Sequence, residues 1–342
     1  MLDLHKNLKN LVLLSFIGFA GLSTIVAIIP AYQLEDVQPL PDEPKMTQDQ
    51  RDGLNTYIAN GCVACHTQQV RNIEMDNMWG KRPSIPSDYY YSKQRMDLWR
   101  QSPSLLGSER TGPDLTNVGN RQAAQQWHLL HMYNPRTVVK ESVMPAYPWM
   151  FEEVDSTMVT DKDVVVPVPK EFFDKPHLKI VAKQEVLNLV AYLQALKQTE
   201  LPGPQTPKFI PSIKEAAQGS TVAGVQESGS GAPALDGAKL FSQTCAACHQ
   251  QNGQGLPGAF PPLAGSDIVN DKDPKLMIEI ILKGYDALPN YGPMPPLGDQ
   301  LSDEEIAAIM THERSSWGND APAVTADEVK KVREFVAQEA AR

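Results

Sequence analysis

The stretch NGCVACHTQQVRNIE, residues 60–74, sets Cys62, Cys65 and His66 in a CxxCH triplet followed by a polar tail. Such a triplet can clamp zinc, run thiol chemistry or pin a haem. It recurs as Cys245, Cys248 and His249, and the two copies use all four cysteines of the chain. None is left for a structural disulfide. A zinc knuckle needs a further ligand pair at matching spacing; His128 and His131 could supply one to the first triplet, but the second has no equivalent. Thioredoxin-like chemistry calls for a βαβ setting that the sequence lacks. Two thiols one helical turn apart, with an imidazole directly behind, suit the vinyl groups and iron of a haem. The two motifs therefore predict two covalently attached c-type haems.

The regions behind the triplets repeat. His249 is followed thirteen residues on by Pro262 in PPLAG, and Met294 in GPMPP comes thirty-two after that. In the first copy Pro113 in TGPDL lies forty-seven residues after His66, and Met144 in SVMPAY thirty-one further on. The first unit thus reads as the second with about thirty-four residues inserted behind its CxxCH, and with a second insertion at about 151–183. A thioether as sixth ligand raises the potential of a low-spin haem relative to a second imidazole. Met294, flanked by Pro293, Pro295 and Pro296, and Met144, before Pro145, are the candidates; Met150 and His131 compete with Met144. Met75, Met78, Met96, Met132, Met158, Met277 and Met310 read as core filler. Pro113 and Pro262 are expected to offer a backbone carbonyl to the proximal imidazole N–H. Arg71, Arg82, Arg110, Arg121 and Arg136 gather in the first unit, where propionates need cations, although at least half are expected to be ordinary surface arginines.

The 342 residues hold 28 prolines against 22 glycines, which favours ordered loops over many regular elements. Net charge is −10, and from Leu235 onward nine Lys/Arg face sixteen Asp/Glu. That acidic segment is either a solvated face or a docking surface for a basic partner, and no basic stripe suggests nucleic acid. Leu11–Pro30 is a twenty-residue run without charge, preceded by His5, Lys6 and Lys9 and followed by Glu35, Asp36, Asp42 and Glu43. Its length spans a bilayer, and the flanking charges put the N-terminus in the cytoplasm and the rest on the far side. A cleaved signal peptide would strand Ile25–Ile29 in water, so a retained anchor is expected.

The expected organisation is a cytoplasmic N-terminus and anchor over 1–35, a first cytochrome c domain over 46–200, a Pro/Gly/Ser-rich linker over 201–233 and a second cytochrome c domain over 234–342. The fold class is mainly α: one transmembrane helix, then two class I cytochrome c-like haem domains, the first with long loop insertions. Helices are predicted at EVLNLVAYLQAL, at DGAKLFSQ, after the N-cap Ser302, and after Thr325. No nucleophile constellation or phosphate loop is present.

GCVACHTQQVR, GSERTGPDLTNVGNR and WHLLHMYNPRTVVKESVMPAYPW, behind an anchor, resemble the monohaem subunit II (CcoO/FixO family) of cbb3-type cytochrome c oxidase over roughly residues 5–150. The resemblance implies a periplasmic haem domain at the bacterial inner membrane that passes electrons to a membrane-embedded haem-copper catalytic subunit. It implies other oxidase subunits as partners, and an electron donor such as cytochrome c or a quinol-oxidising complex. It assigns Cys62 and Cys65 to the thioethers, His66 to the proximal position and Met144 to the distal one. GAKLFSQTCAACHQQNGQGLPGAFPPLAGSD with YGPMPPLGDQLSDEEIAAIMTHERSSWGN is similar to class I cytochrome c domains, which assigns Cys245, Cys248, His249 and Met294 to a second haem. Ala27 stands where the family carries a glutamate, and His312-Glu313 where an aromatic and an apolar residue are expected. The same superfamily includes nitric oxide reductases, whose electron-input subunits share anchors and c haems. A dihaem peroxidase would need a displaceable sixth ligand, and a free-standing tethered carrier would need no complex. Arg71 and the tail after His66 are expected to serve a propionate or the catalytic subunit's surface.

Overall fold

The computed structural model describes residues 7–35, 40, 44–89, 105–199, 201, 206–211, 235–286, 288 and 291–340. Most of the 201–233 linker and the flanking charges His5, Lys6, Asp36, Asp42 and Glu43 lie outside these residues. The chain opens with α1 (Leu8–Ser23), one π-helical turn (Thr24–Ile28) and α2 (Ile29–Glu35). Leu8–Ile28 has a mean hydropathy of 2.4 and buries none of its side chains against the chain, so by length and composition it can cross a membrane. Within the span, the Thr24 hydroxyl donates to the Ala20 carbonyl at 2.8 Å, which satisfies it inside the helix.

Helix α3 (Gln48–Ala59) starts at a capping box in which Thr47 and Gln50 satisfy each other's backbone N–H. It is followed by α4 (Val118–Arg121), α5 (Gln125–Tyr133), strands β1 (Phe151–Asp155), β2 (Val165–Val166) and β3 (Leu178–Ala182), and helix α6 (Gln184–Ala195). The strands form an antiparallel sheet in the order β1-β3-β2, with Phe151 opposite Ala182 and Val166 opposite Ile180. The second insertion, expected as loop, therefore contains a small sheet. Its β-branched segments put Phe151, Val166, Ile180 and Ala182 into the same core as Leu129, Leu130, Val186 and Leu189.

The second unit runs through α7 (Gly237–Thr244), α8 (Ala246–His249), α9 (Asp267–Asn270), α10 (Lys275–Lys283), α11 (Asp303–Arg314) and α12 (Ala326–Ala340). Asp236 caps α7, and a Ser302–Glu305 capping box starts α11. Thr325 and Glu328 exchange the same pair of bonds at α12. Met277, Ile278, Ile306, Met310 and Val329 form its core.

Both units are closed by one helix crossing. In the first, α3 lies across α6 so closely that a Cβ on Gly53 would stand 1.9 Å from the Asn188 carbonyl oxygen. In the second, α7 meets α11 with Gly237 in that role, 2.1 Å from the Ala308 oxygen. Four residues beyond each glycine is a buried aromatic, Tyr57 or Phe241. Each faces a ring four residues beyond the crossing carbonyl: Tyr57 meets Tyr192, and Phe241 meets His312, both at 5.5 Å between centroids. His312 thus fills an aromatic position, and Trp317 packs on both rings, 5.4 Å from His312 and 4.9 Å from Phe241. In the same register Glu313 takes the place of buried Leu193.

Candidate functional site

Gly61, in the left-handed region at φ 68°, turns α3 into a 3-10 turn at Cys62–Ala64 that carries the first triplet. His66 Nδ1 lies 2.8 Å from the Pro113 carbonyl oxygen. A carbonyl only accepts, so Nδ1 carries the proton and Nε2 is left bare to ligate. Burial holds this imidazole below its ordinary pKa against the opposing pull of the Pro113 bond, which keeps it neutral. Gly112 packs flat on the ring, where a Cβ would come within 2.2 Å of His66 Cε1.

The polar tail braces this contact. Buried Asp114, next to Pro113, accepts from Thr67 Oγ1 at 2.6 Å, Gln69 N at 2.8 Å and Thr116 N at 2.9 Å. Leu115 N donates to the Thr67 carbonyl, and Gln68 bonds the Tyr192 hydroxyl on α6. The strands of loop on either side of the imidazole and its carbonyl are thus tied together at several points. Arg71 donates to Asp76 through Nε, Nη2 and its backbone N–H, and Arg110 bonds the same carboxylate. Burial would raise the Asp76 pKa, but the two guanidiniums and the backbone bond pull it below the ordinary carboxylate range. Arg82 pairs with Asp88, and Arg136 donates to the Met144 carbonyl.

Arg121 differs from the other four arginines. It lies over the Trp79 ring at 5.0 Å and donates one Nη2 bond to the Asp114 carbonyl, but its buried Nε has no partner. Burial lowers its pKa to about 10, partly offset by Asp114. Trp127 Nε1 and His131 Nδ1, also buried, are without partners as well, and the two rings stack at 4.5 Å. His66 feels the charge of Arg121 and is coupled to His131, and Trp127 is stacked on His131, so this group lies near the first imidazole. The orphaned Arg121 Nε and Trp127 Nε1 donors, with the unpartnered His131 ring nitrogen, fit a haem with its anionic propionates.

Met144 is half-buried and packs on the first core, as do Cys62 and Leu115. Tyr147, three residues on, is close enough to Cys62 and Cys65 to feel their charge, which puts this loop over the triplet. Of its rivals, Met150 is sealed in the core at 0 % exposure, and His131 is stacked on Trp127. Burial also fixes His128 as neutral, near pKa 4, with Nε2 on the Gln122 carbonyl at 2.7 Å, which takes it out of any zinc set.

In the second unit, Cys245, His249 and Met294 line one apolar cavity of about 930 Å³ together with Ile281, Ile309 and Glu313. His249 Nδ1 lies 2.9 Å from a proline carbonyl, but that proline is Pro261, not Pro262. The two loops superpose on their leucines, Pro113-Asp114-Leu115 with Pro261-Pro262-Leu263, because Leu115 and Leu263 are the side chains that pack. Met294 is held by a two-way backbone bridge to Tyr285, at 2.9 and 2.8 Å. Burial raises the Cys62 thiol to about 11 and Cys248 to about 12, so neither is a thiolate ligand at neutral pH. The residues here fit a haem as the first set does. Sequence reading missed Gly112, Asp114 and the paired helix-crossing glycines; Gly-x-x-x-aromatic ahead of each triplet was the available signal for the last.

A family model described as cytochrome c oxidase, mono-heme subunit/FixO, matches residues 3–179, more than half of the chain. A second, described as cytochrome c oxidase, cbb3-type, subunit III, matches residues 232–312. Cytochrome c-552 of Thermus thermophilus is 45 % identical over 112 residues, covering 29 % of this chain and 84 % of the relative. The cytochrome c subunit of the quinone alcohol dehydrogenase of Gluconobacter oxydans is 33 % identical over 137 residues, 37 % of this chain and 28 % of its own. The fructose dehydrogenase cytochrome subunit of Gluconobacter japonicus is 38 % identical over 107 residues, 29 % and 22 % respectively. The family match and the paired CxxCH sites agree: the chain belongs to the mono-haem FixO subunit family of cbb3-type cytochrome c oxidase, and it is an electron-transfer cytochrome c.

Proposed function

We propose that this chain is a dihaem, membrane-anchored electron-transfer subunit that takes electrons from a donor and passes them to a haem-copper catalytic subunit. The observation that carries the reading is the repeated imidazole geometry: His66 on Pro113 at 2.8 Å and His249 on Pro261 at 2.9 Å, each behind a CxxC. Covalent c-type haems, when bound, supply one-electron carriers at potentials set by their axial ligands. Cys62 and Cys65 would hold one by thioethers, with His66 and Met144 as axial ligands; Cys245, Cys248, His249 and Met294 would hold the other.

The chain's own groups do the rest. Pro113 and Pro261 orient each imidazole and fix the proton on Nδ1, while burial keeps the ring neutral. The isoleucines and leucines of the second cavity exclude water, which favours the less charged, reduced state. Arg121, Trp127 and His131 offer donors to anionic propionates. Leu8–Ile28 anchors the chain with its N-terminus in the cytoplasm and both units in the periplasm. Because the first unit adjoins the anchor, electrons run from the second unit to the first and then to the membrane. Arg71 holds Asp76 while leaving 43 % of its side chain exposed, which suits a contact with the catalytic subunit at the rim of the tail.

Purification of the solubilised complex tests the reading. The expected result is two c haems per chain by pyridine haemochrome, together with a large subunit bearing haem and copper. One haem per chain, or a chain that purifies alone, would contradict it. Arg71→Ala should keep both haems and weaken retention of the large subunit; unchanged retention would make the tail a brace only.

A further inference from the structure

The second unit turns its CxxCH face toward the first. Ala259 and Phe260, 0 % and 5 % exposed, pack into the first unit's core cluster, and Cys248 and Leu256 lie against the same cluster. Beside this contact a cavity of about 580 Å³ runs between the units. Asn120–Ala124 line one wall; Cys248, His249, Pro261, Gly292 and Met294 line the other. The walls touch where two glycines of the second unit meet the first. A Cβ built on Gly292 would lie 3.5 Å from Gln126 Cβ, and one on Gly258 would lie 3.6 Å from Pro167 Cβ. Between described residues no hydrogen bond or ion pair crosses the contact, so it is held by apolar packing.

We infer that this contact is an electron-transfer interface formed in cis: the second unit docks its CxxCH edge on the Asn120–Gln126 surface of the first, where it stands in for a separate soluble donor. Three features agree with this. The face carries the triplet and the sixth-ligand loop, the two parts of the second unit nearest its haem site. The opposing surface carries Arg121, whose charge His66 feels, so the same short segment borders both sites. Burial of Ala259 and Phe260 in the first unit's core holds the two sites in one fixed arrangement, so transfer needs no rearrangement of the contact. The proposal rests on the two-haem reading above, and its consequence is that a soluble donor reduces the first site only by way of the second.

Gln126→Cys with Gly292→Cys in the full-length, membrane-extracted chain tests it, because a 3.5 Å Cβ separation lies within the range a disulfide spans. Haem content is measured first: fewer than two haems would indict the functional reading, whereas two intact haems make the outcome specific to the interface. The cross-link is expected to form under mild oxidation, seen as a joined peptide by mass spectrometry. Internal electron transfer after flash reduction of the second site should then stay within about twofold of the native rate. Thiols that remain free with both haems bound would overturn the proposal, as would a locked chain whose internal transfer slows more than tenfold. Gln126→Trp, a wedge at the same contact, should slow internal transfer at least tenfold while leaving both haem spectra unchanged; an unchanged rate would also overturn it.

Discussion

Glu313 is buried in the wall of the second unit's cavity, at the position that Leu193 holds in the first unit. Burial pushes its carboxyl from 4.5 up to about 8. Between those values the native state keeps a proton that the unfolded chain has lost, so its contribution to stability falls as pH rises from about 4.5 to about 8. Glu313→Leu should therefore leave the melting temperature close to native near pH 4.5 and raise it increasingly toward pH 8.5. The gain is on the order of a few kcal/mol at the alkaline end. Thermal unfolding of both proteins across that range would reveal it, and parallel curves would refute it. Gly112 makes a sharper demand. A methyl group there enters the His66 ring, so Gly112→Ala should tilt the imidazole off the Pro113 carbonyl and bring high-spin features into the first site's absorption spectrum. At this scale the sequence was explicit about candidate haem-binding residues, because CxxCH is local. It was silent about Asp114, whose partners lie up to forty-seven residues away, and it misread the proline register by one. Arg71 drew notice as a free cation, yet its nearest acid, Asp76, lies only five residues on.

The elements that frame the sites are the two helix crossings. Alanine at Gly53 would drive a Cβ to 1.9 Å from the Asn188 carbonyl oxygen, and backbone cannot swing aside as a side chain can. Gly53→Ala should destabilise the first unit by roughly 1–3 kcal/mol or more, and Gly237→Ala the second by as much. Denaturant unfolding followed at each haem band would separate the two: each substitution should lower the midpoint of its own unit more than the other's. Helices α6, α7, α11 and α12 were readable from amphipathic periodicity and caps such as Ser302. The β1-β3-β2 sheet was not, because its strands are two to five residues long and sit among prolines, so that pairing and not local pattern defines them. His312 looked out of place in the sequence; the Phe241–His312–Trp317 cluster shows an imidazole used for its ring.

Across the whole molecule, the anchor and the repeat were plain in the sequence, and the family match over residues 3–179 agrees with the quoted motifs. The contact between the units was not visible there, since Ala259 and Phe260 read as part of a proline-rich loop until the first unit's core is seen to receive them. In the proposed reading, that contact sets a direction, from the acidic second unit to the first unit that follows the apolar helix. Replacing the Met294 thioether by an imidazole lowers the potential of the second site without touching the first. Stopped-flow reduction of Met294→His by the physiological donor therefore bears most directly on the account. The first site should be reduced at least tenfold more slowly than in the native chain. Reduction of the first site at the native rate would contradict the proposed order.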